Sequence, residues 1–298
     1  MVVLIYHRVH PAIDPMAPNE VTAEVFEWQM NLLRDFLTPI DLVEAIALRD
    51  QGNLPQHAVA VTFDDGYADN FDVALPILQR AGVPATFFVT TGFLDGGRMW
   101  NDTVTEAVRH LPEGTFDLRD VGLGPRTVTD LRSRRELSRE IIKSIKHLAP
   151  DDRQAKADAL GAFCRETLPR NLMMTRGQVR GLAAAGMTVG AHTLTHPILK
   201  ALPAAEARCE IEGGRRELGA IIGNEPQLFA YPNGRPGSDY GPDHCAMVQA
   251  AGYLAAFSTI RGAVGPRTDQ WQLPRFTPWD RTRWRFLARL LLEYGNVA

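Results

Sequence analysis

The sequence predicts an α/β fold built on a parallel sheet, with the functional residues gathered at one edge of that sheet. Short apolar runs rich in β-branched residues alternate with segments of helical periodicity, and the links between them are short. This alternation is typical of strand–helix–strand units, whose strands run parallel. The carboxyl ends of the strands carry the active site in (β/α) barrels, so polar residues at these ends are expected to share one site. Four predicted strands end in such residues: Tyr6-His7, Asp64-Asp65, His192 and Tyr231.

Before residue 96 the predicted strands and helices alternate. The apolar, β-branched runs predict strands over residues 2–6, 59–63 and 85–89. Apolar residues at helical spacing predict one helix that begins at Thr22 and two more over residues 42–49 and 70–81. Pro76 lacks a backbone N–H, so it should bend or restart the last of these helices.

The alternation breaks between about residues 96 and 172. Two short runs, 115–118 and 126–129, are separated by glycines and predict a small hairpin. Two polar helices are expected after it, over about residues 136–148 and 152–167. We interpret this stretch as a mostly helical insertion in a single domain of residues 1–298.

The alternation resumes after the insertion. Strands are predicted over residues 188–191, 228–231 and 254–258, followed by a short segment over 273–276. Helices are predicted over residues 204–219, 243–251 and 283–294. Two pairs have the spacing of a capping box, in which two side chains close a helix start: Ser133 with Glu136, and Thr175 with Gln178.

Composition limits the class of protein. The chain has 298 residues, 45% of them hydrophobic, and a net charge of -3, which gives no general attraction to nucleic acid. Its three cysteines lack CxxC spacing and indicate free thiols rather than a disulfide framework. No signal peptide and no apolar run of about 20 residues is visible, so we expect a cytoplasmic protein without a transmembrane segment. A preceding segment missing from the sequence would make it an exported one. The sequence does not indicate the oligomeric state.

Two motifs predict a metal site. Asp64 and Asp65 end an apolar run, and two adjacent carboxylates repel each other unless a cation shares the site. His192 and His196 follow another predicted strand, and Pro197 disfavours a helix at His196. Two imidazoles and a carboxylate suit zinc and similar divalent ions. The alternatives are surface histidines with ordinary hydrogen bonds and an aspartate that caps a helix; spacing alone cannot order the two aspartates.

These motifs resemble those of a known family. Thr62-Phe63-Asp64-Asp65-Gly66 and His192-Thr193-Leu194-Thr195-His196 are similar to the first two signature motifs of the polysaccharide deacetylases, carbohydrate esterase family 4 or the NodB homology domain. Phe229-Ala230-Tyr231-Pro232-Asn233-Gly234 is similar to the third motif without its leading arginine. The resemblance implies a distorted (β/α) barrel of about seven parallel strands.

The resemblance also implies a role for each matching residue. Asp65, His192 and His196 would bind a divalent metal, for which zinc is the best candidate. Asp64 would act as the general base on a water activated by that metal. The backbone N–H of Tyr231 would face the developing oxyanion.

Two family residues are missing from their usual places. The arginine that orients the base is absent from the third motif, and Arg275 in Leu-Pro-Arg-Phe could replace it from another strand or could form a surface ion pair. The late Leu-x-His that supplies the general acid is also absent, since no histidine follows His244. His7 is our candidate for protonating the leaving amine; the alternative is a core histidine satisfied by the backbone.

Together these features predict a metal-dependent hydrolase that removes acetyl groups from an N-acetylated carbohydrate, a polysaccharide or a glycan precursor. Deacetylation and the sugar substrate follow from the resemblance alone, because one fold hosts many chemistries. The alternatives are an amidohydrolase acting on a small non-sugar amide and a non-catalytic carbohydrate-binding protein with the same fold. A sugar-nucleotide transferase is disfavoured by the paired histidines and the lack of a glycine-rich phosphate loop.

The C-terminal tail carries a further pattern. From Trp279 to Leu292 the sequence is amphipathic and locally basic. A helix that covers the outside of the barrel with solvated arginines is our main interpretation. Attachment to a membrane surface is the alternative.

Overall fold

The computed structural model describes residues 1–164 and 167–297, which form two compact units. Unit 1 comprises Met1–Ala12, Val21–Asp95 and Met173–Ala298, and unit 2 comprises Ile13–Glu20 and Gly96–Leu172. The predicted insertion of residues 96–172 falls in unit 2. That the chain forms a single domain stays a prediction.

The strands and helices alternate along most of the chain. The strands are β1 (Val2–Tyr6), β2 (Val9–His10), β3 (Val21–Thr22), β4 (Thr38–Pro39), β5 (Ala58–Phe63), β6 (Ala85–Val89), β7 (Gly114–Asp117), β8 (Pro125–Val128), β9 (Thr188–Ala191), β10 (Leu228–Ala230) and β11 (Ala255–Phe257). The α-helices are α1 (Ala23–Phe36), α2 (Leu42–Asp50), α3 (Leu75–Ala81), α4 (Trp100–His110), α5 (Leu131–Ile145), α6 (Pro150–Gly161), α7 (Arg176–Ala184), α8 (Ala204–Ile222), α9 (Pro242–Ala250) and α10 (Arg283–Glu293).

Unit 1 is built on a seven-stranded sheet in which all paired strands run parallel. The order is β1-β5-β6-β9-β10-β11, and β4 pairs with the start of β5. A short segment joins the two outer strands: Leu273 pairs with Phe257 of β11, and Phe276 pairs with Leu4 of β1. This curled parallel sheet with its helices confirms the predicted distorted (β/α) barrel.

Burial explains why the inner runs form strands. Every residue of β1 and of β5 is buried, as expected for parallel strands covered on both faces. The rings of Phe63 and Phe87 stack across neighbouring strands with centroids 4.7 Å apart. Tyr6 and Phe26 of α1 meet edge to face at 5.1 Å. The core therefore fixes the strand ends that carry the polar motifs.

Local capping sets several helix starts. Thr22 caps α1 and accepts a hydrogen bond from the Val25 N–H, and Thr175 with Gln178 forms the predicted capping box. A π-helical turn over Asn70–Ala74 leads into α3, so the predicted restart near Pro76 is confirmed.

One predicted helix start is wrong. The helix predicted from residue 136 begins at Leu131, because Asp130 accepts the Ser133 N–H at 2.7 Å and the Ser133 hydroxyl accepts the Asp130 N–H at 3.0 Å. Ser133 is therefore inside the helix as a partner of the cap and does not itself precede it.

Unit 2 packs its helices α4, α5 and α6 around its own apolar cluster, and β7 pairs with β8 in the predicted hairpin. The sequence analysis missed α4, which begins at Trp100. The predicted helix over 152–167 is α6, which ends at Gly161; residues 165–166 of that prediction lie outside the described residues. Within the described residues, no helix is both long and apolar enough to cross a membrane.

Candidate metal and catalytic centre

Asp64 and Asp65 leave the end of β5 in a tight turn. The Asp64 N–H still donates to the Tyr6 carbonyl of β1 at 2.9 Å, which continues the ladder. Asp65 has a φ of 76°, in the left-handed region that non-glycine residues rarely adopt. Gly66 follows at φ 90°, and a Cβ there would lie 3.0 Å from Cγ1 of Val89. The turn points the two adjacent carboxylates in different directions. Backbone strain of this kind is common at functional sites.

His192 is fixed by backbone groups of the neighbouring strands. Its N–H donates to the Val89 carbonyl at 3.1 Å, and its ring Nδ1 lies 2.7 Å from the Ala230 carbonyl. A carbonyl can only accept, so Nδ1 carries the proton and Nε2 of a neutral ring presents its lone pair. That tautomer is the one a metal ligand at Nε2 requires.

His196 lies in a loop, as Pro197 predicted, and has a φ of 54°. Its N–H donates to the hydroxyl of Thr193 at 3.1 Å. The His192 and His196 rings lie with centroids 4.9 Å apart. The two histidines therefore face one point from the two ends of a short loop.

Glu210 of α8 holds this loop through hydrogen bonds. Its carboxylate accepts the N–H groups of Leu194 and Thr195, both at 2.8 Å, and the Thr195 hydroxyl at 2.6 Å. One turn further along α8, a Cβ at Gly214 would lie 3.0 Å from the Thr193 backbone. Sequence reasoning missed Glu210; the glycine pair Gly213-Gly214 inside a helix was the available signal, since mid-helix glycine is costly without a packing reason.

Asp65, His192 and His196 have the spacing of metal ligands. Oδ1 of Asp65 lies 3.4 Å from Nε2 of His192 and 3.3 Å from Nε2 of His196. This buried oxygen makes no hydrogen bond to any group in the described parts of the chain. Ligands bound tetrahedrally at about 2.1 Å from zinc stand about 3.4 Å apart. These three side chains, whose ligand atoms all lie within 4.8 Å of one another, therefore fit a divalent ion.

The charge states of the three groups differ. Burial would lower the pKa of His192, but the carboxylates of Asp64 and Asp65 raise it overall. Burial lowers the pKa of His196 to about 4, so its ring is neutral and able to ligate near neutral pH. Burial would raise the pKa of Asp65, but the nearby His196 and His192 rings outweigh it and hold the pKa well below its usual range. Asp65 is therefore ionised, as a metal ligand must be.

Asp64 is held by Arg275 instead. The guanidinium donates to both carboxylate oxygens, at 2.6 and 2.7 Å, and also to the Ser258 carbonyl at 2.9 Å. Arg275 is 1% exposed and lies on the segment that joins the outer strands, so the alternative of a surface ion pair is wrong. Burial would raise the pKa of Asp64, but the charges of Arg275 and His192 lower it overall.

The two aspartates thus have separate partners. One oxygen of Asp65 faces both imidazoles. Asp64 lies 4.0 Å from Nε2 of His192, and both its oxygens accept hydrogen bonds from Arg275. This division supports Asp65 as the ligand and Asp64 as the base, the order that spacing alone could not give. Both roles stay predictions.

The remaining predicted residues differ in position. His7 is exposed at the end of β1, so the alternative of a core histidine is wrong; its charge contributes to lowering the pKa of Asp64 and of Asp65. Tyr231 is buried and its N–H donates to the Phe257 carbonyl at 3.1 Å. Its predicted contact with an oxyanion would require that bond to open or to be shared, and it stays a prediction.

Glu210→Gln should weaken metal binding without removing a ligand. The amide would turn an N–H donor toward one of the loop donors, and the loss of such supporting contacts commonly costs about 10–100-fold in metal affinity. Zinc affinity measured by competition with a chelator tests this. Glu212→Gln, an exposed change on the same helix, is the matched control. Equal zinc affinity in both variants would contradict the positioning role of Glu210.

Comparisons with known proteins identify the family of the chain. The family model described as polysaccharide deacetylase matches residues 51–139 and 155–256. The Bacillus subtilis (strain 168) protein YxkH, named provisionally as a polysaccharide deacetylase, is 20% identical over 274 residues, which cover 92% of this chain and 69% of that protein.

Solved structures share the fold. Streptococcus pyogenes deacetylase PplD, solved with acetate, superposes with a TM-score of 0.67 at 18% identity over 97% of both chains. IcaB from Ammonifex degensii superposes with a TM-score of 0.63 at 20% identity over 97% of this chain and 95% of its own. Since the family model covers more than half of the sequence, the chain belongs to the polysaccharide deacetylase family, whose members are hydrolases of C–N bonds other than peptide bonds.

Proposed function

We propose that the protein is a metal-dependent deacetylase that removes N-acetyl groups from a carbohydrate, a polysaccharide or a glycan precursor. The observation that carries this proposal is the separation of the two aspartates, one facing the histidine pair and the other bound by a buried arginine. A metal hydrolase needs these two parts, a ligand set and a base beside it that does not itself bind the metal. Family membership supports the carbohydrate substrate.

Asp65, His192 and His196 would hold the ion, and this donor set suits zinc. A divalent cation bound there would polarise the amide carbonyl and lower the pKa of a water molecule. Everything else in the reaction falls to side chains and backbone groups of the chain.

Asp64 takes the proton from the attacking water, whose oxygen forms a bond to the acetyl carbon. Arg275 keeps the Asp64 carboxylate ionised and fixed in orientation, so that the base is ready before substrate binds. The C–N bond then breaks, and the amine leaves with a proton from a general acid. His7 is the candidate for this acid, because it is exposed and follows the last residue of β1, as Asp64 follows the last residue of the paired strand β5.

Acetate release from short N-acetylglucosamine oligomers tests the proposal. We expect release from zinc-loaded protein, none after chelation, and a fall of about 10²–10⁴-fold in Asp64→Asn with metal content retained. Asp72→Asn, an exposed change outside the centre, is the control and should remain active.

Each other outcome has a definite meaning. If the protein binds zinc and hydrolyses a small non-sugar amide but releases no acetate from the oligomers, its substrate is that kind of amide and not a carbohydrate. Bound zinc with sugar binding and no hydrolysis of any amide would make the protein a carbohydrate-binding one. Full activity in chelated protein would refute the metal centre.

Arg275→Met should shift the pH dependence of kcat/KM. Without the guanidinium, burial of Asp64 is no longer outweighed, so the pKa of the base rises and activity is lost at a higher pH as the medium is acidified. We expect the acid limb to move up by about one pH unit or more. Arg275→Lys keeps a charge and should move it less.

Arg80→Met, which removes an exposed ion pair with Glu27, is the control for that profile. Because Arg275 is buried, thermal unfolding of each variant is measured alongside. A folded Arg275→Met protein with an unchanged acid limb would show that Arg275 does not tune the base.

A further inference from the structure

Helix α10 packs one face on the barrel unit through apolar side chains. Phe286, Leu287 and Leu290 are buried, and Phe286 meets the ring of Trp28 edge to face at 5.6 Å. These contacts seat the helix against α1 on the outside of unit 1, in line with the interpretation that the sequence favoured.

The opposite face of α10 is also apolar, which a covering helix does not need. Trp284 is 73% exposed, Leu292 is 76% exposed and Leu291 is 45% exposed. At 100° per residue these three side chains lie on one stripe together with exposed Ala288. Trp279, just before the helix, is 65% exposed. An ordinary surface helix carries charged and polar residues on this face.

Arginines lie next to this apolar stripe. Arg285 is exposed at one edge of it, and Arg283 is exposed at the first residue of the helix, just before Trp284. The acids of the segment are buried and already engaged: Asp280 lies 3.1 Å from Arg289 and 3.9 Å from Arg285, and Glu293 lies 2.7 Å from Arg261. In the described residues 279–297 no exposed acidic residue offsets the positive charge of the arginines, although the whole chain has a net charge of -3.

We propose that the outer face of α10 docks on an anionic lipid surface. An apolar stripe with tryptophan at its start and exposed arginines next to it is the pattern of a helix that lies in the interface plane, where arginines reach phosphate headgroups. Tryptophan prefers that level of a bilayer because one end of its ring system is apolar and the other is polar. The helix would lie on the membrane rather than cross it.

The charge pattern argues against a second copy of the chain as the occupant. A two-fold interface through this face would set the Arg283 and Arg285 side chains of one copy near those of the other. Asp280 is buried and already lies near Arg285 and Arg289, and Glu293 is buried beside Arg261, so the face offers no exposed carboxylate to a second copy. Anionic headgroups supply that missing negative charge. This inference does not depend on the proposed function.

Cosedimentation of the full chain with vesicles tests the proposal. We compare phosphatidylcholine alone with equal parts of phosphatidylcholine and phosphatidylglycerol, at low and high salt. We expect binding to the anionic vesicles, little to the neutral ones, and weaker binding at high salt. Trp284→Ser with Leu292→Ser should abolish it, and each of Arg283→Gln and Arg285→Gln should lower the partition coefficient about fivefold.

Matched controls separate docking from general stickiness. Ile13→Ser removes an apolar side chain that is 67% exposed in unit 2, and Arg132→Gln removes an exposed arginine of α5; neither should change binding. Circular dichroism and thermal unfolding should be unchanged in every variant. Equal binding to both vesicle types, or full binding by the Trp284/Leu292 variant, would overturn the proposal. A wild-type dimer that this variant converts to monomer would also overturn it, in favour of a protein interface.

Discussion

Two adjacent buried carboxylates, Asp64 and Asp65, are the constraint on which the rest of the centre depends. Two negative charges cannot share a buried site without compensation. The chain gives the two carboxylates different partners, a guanidinium for Asp64 and a histidine pair for Asp65. Because the two solutions differ, the carboxylates differ in chemistry: one is tied to a fixed cation of the chain, and the other is open to a bound one.

Parallel strands deliver each partner of this pair. The ladder of β1, β5, β6, β9 and β10 brings the two motifs to the same edge, and backbone carbonyls from β6 and β10 hold His192. Arg275 lies on the segment that joins β11 to β1, so the same segment closes the sheet and places the arginine. Glu210 then supports the loop from a helix outside the sheet. The site is therefore as rigid as the barrel that carries it.

The sequence predicted the parts of this arrangement that depend on local patterns. Strand and helix alternation, the carboxyl-end placement of the polar motifs and the Thr175–Gln178 capping box all follow from short-range spacing, and they appear in the structure. The family resemblance rested on contiguous motifs, and the family model bears it out. Pro197 also predicted the non-helical backbone at His196.

Long-range features could not be predicted in the same way. Arg275 and Asp64 are far apart in the chain, so only the folded sheet shows that they meet. The Tyr231 N–H was expected to be available, but ladder bonding between β10 and β11 extends one residue further and engages it. Helix α4 was missed, and the start of α5 was placed too late because Asp130, and not Ser133, supplies the cap. Tertiary pairing and alternative caps decided each of these cases.

Anomalous diffraction at the zinc edge, from crystals grown with zinc, tests the central claim most directly. The account predicts one strong peak within bonding distance of Oδ1 of Asp65 and Nε2 of His192 and His196, with Asp64 still bound by Arg275. A peak bonded to Asp64 in place of Asp65 would contradict the division of roles. Zinc bound elsewhere with this triad empty would contradict the metal centre itself.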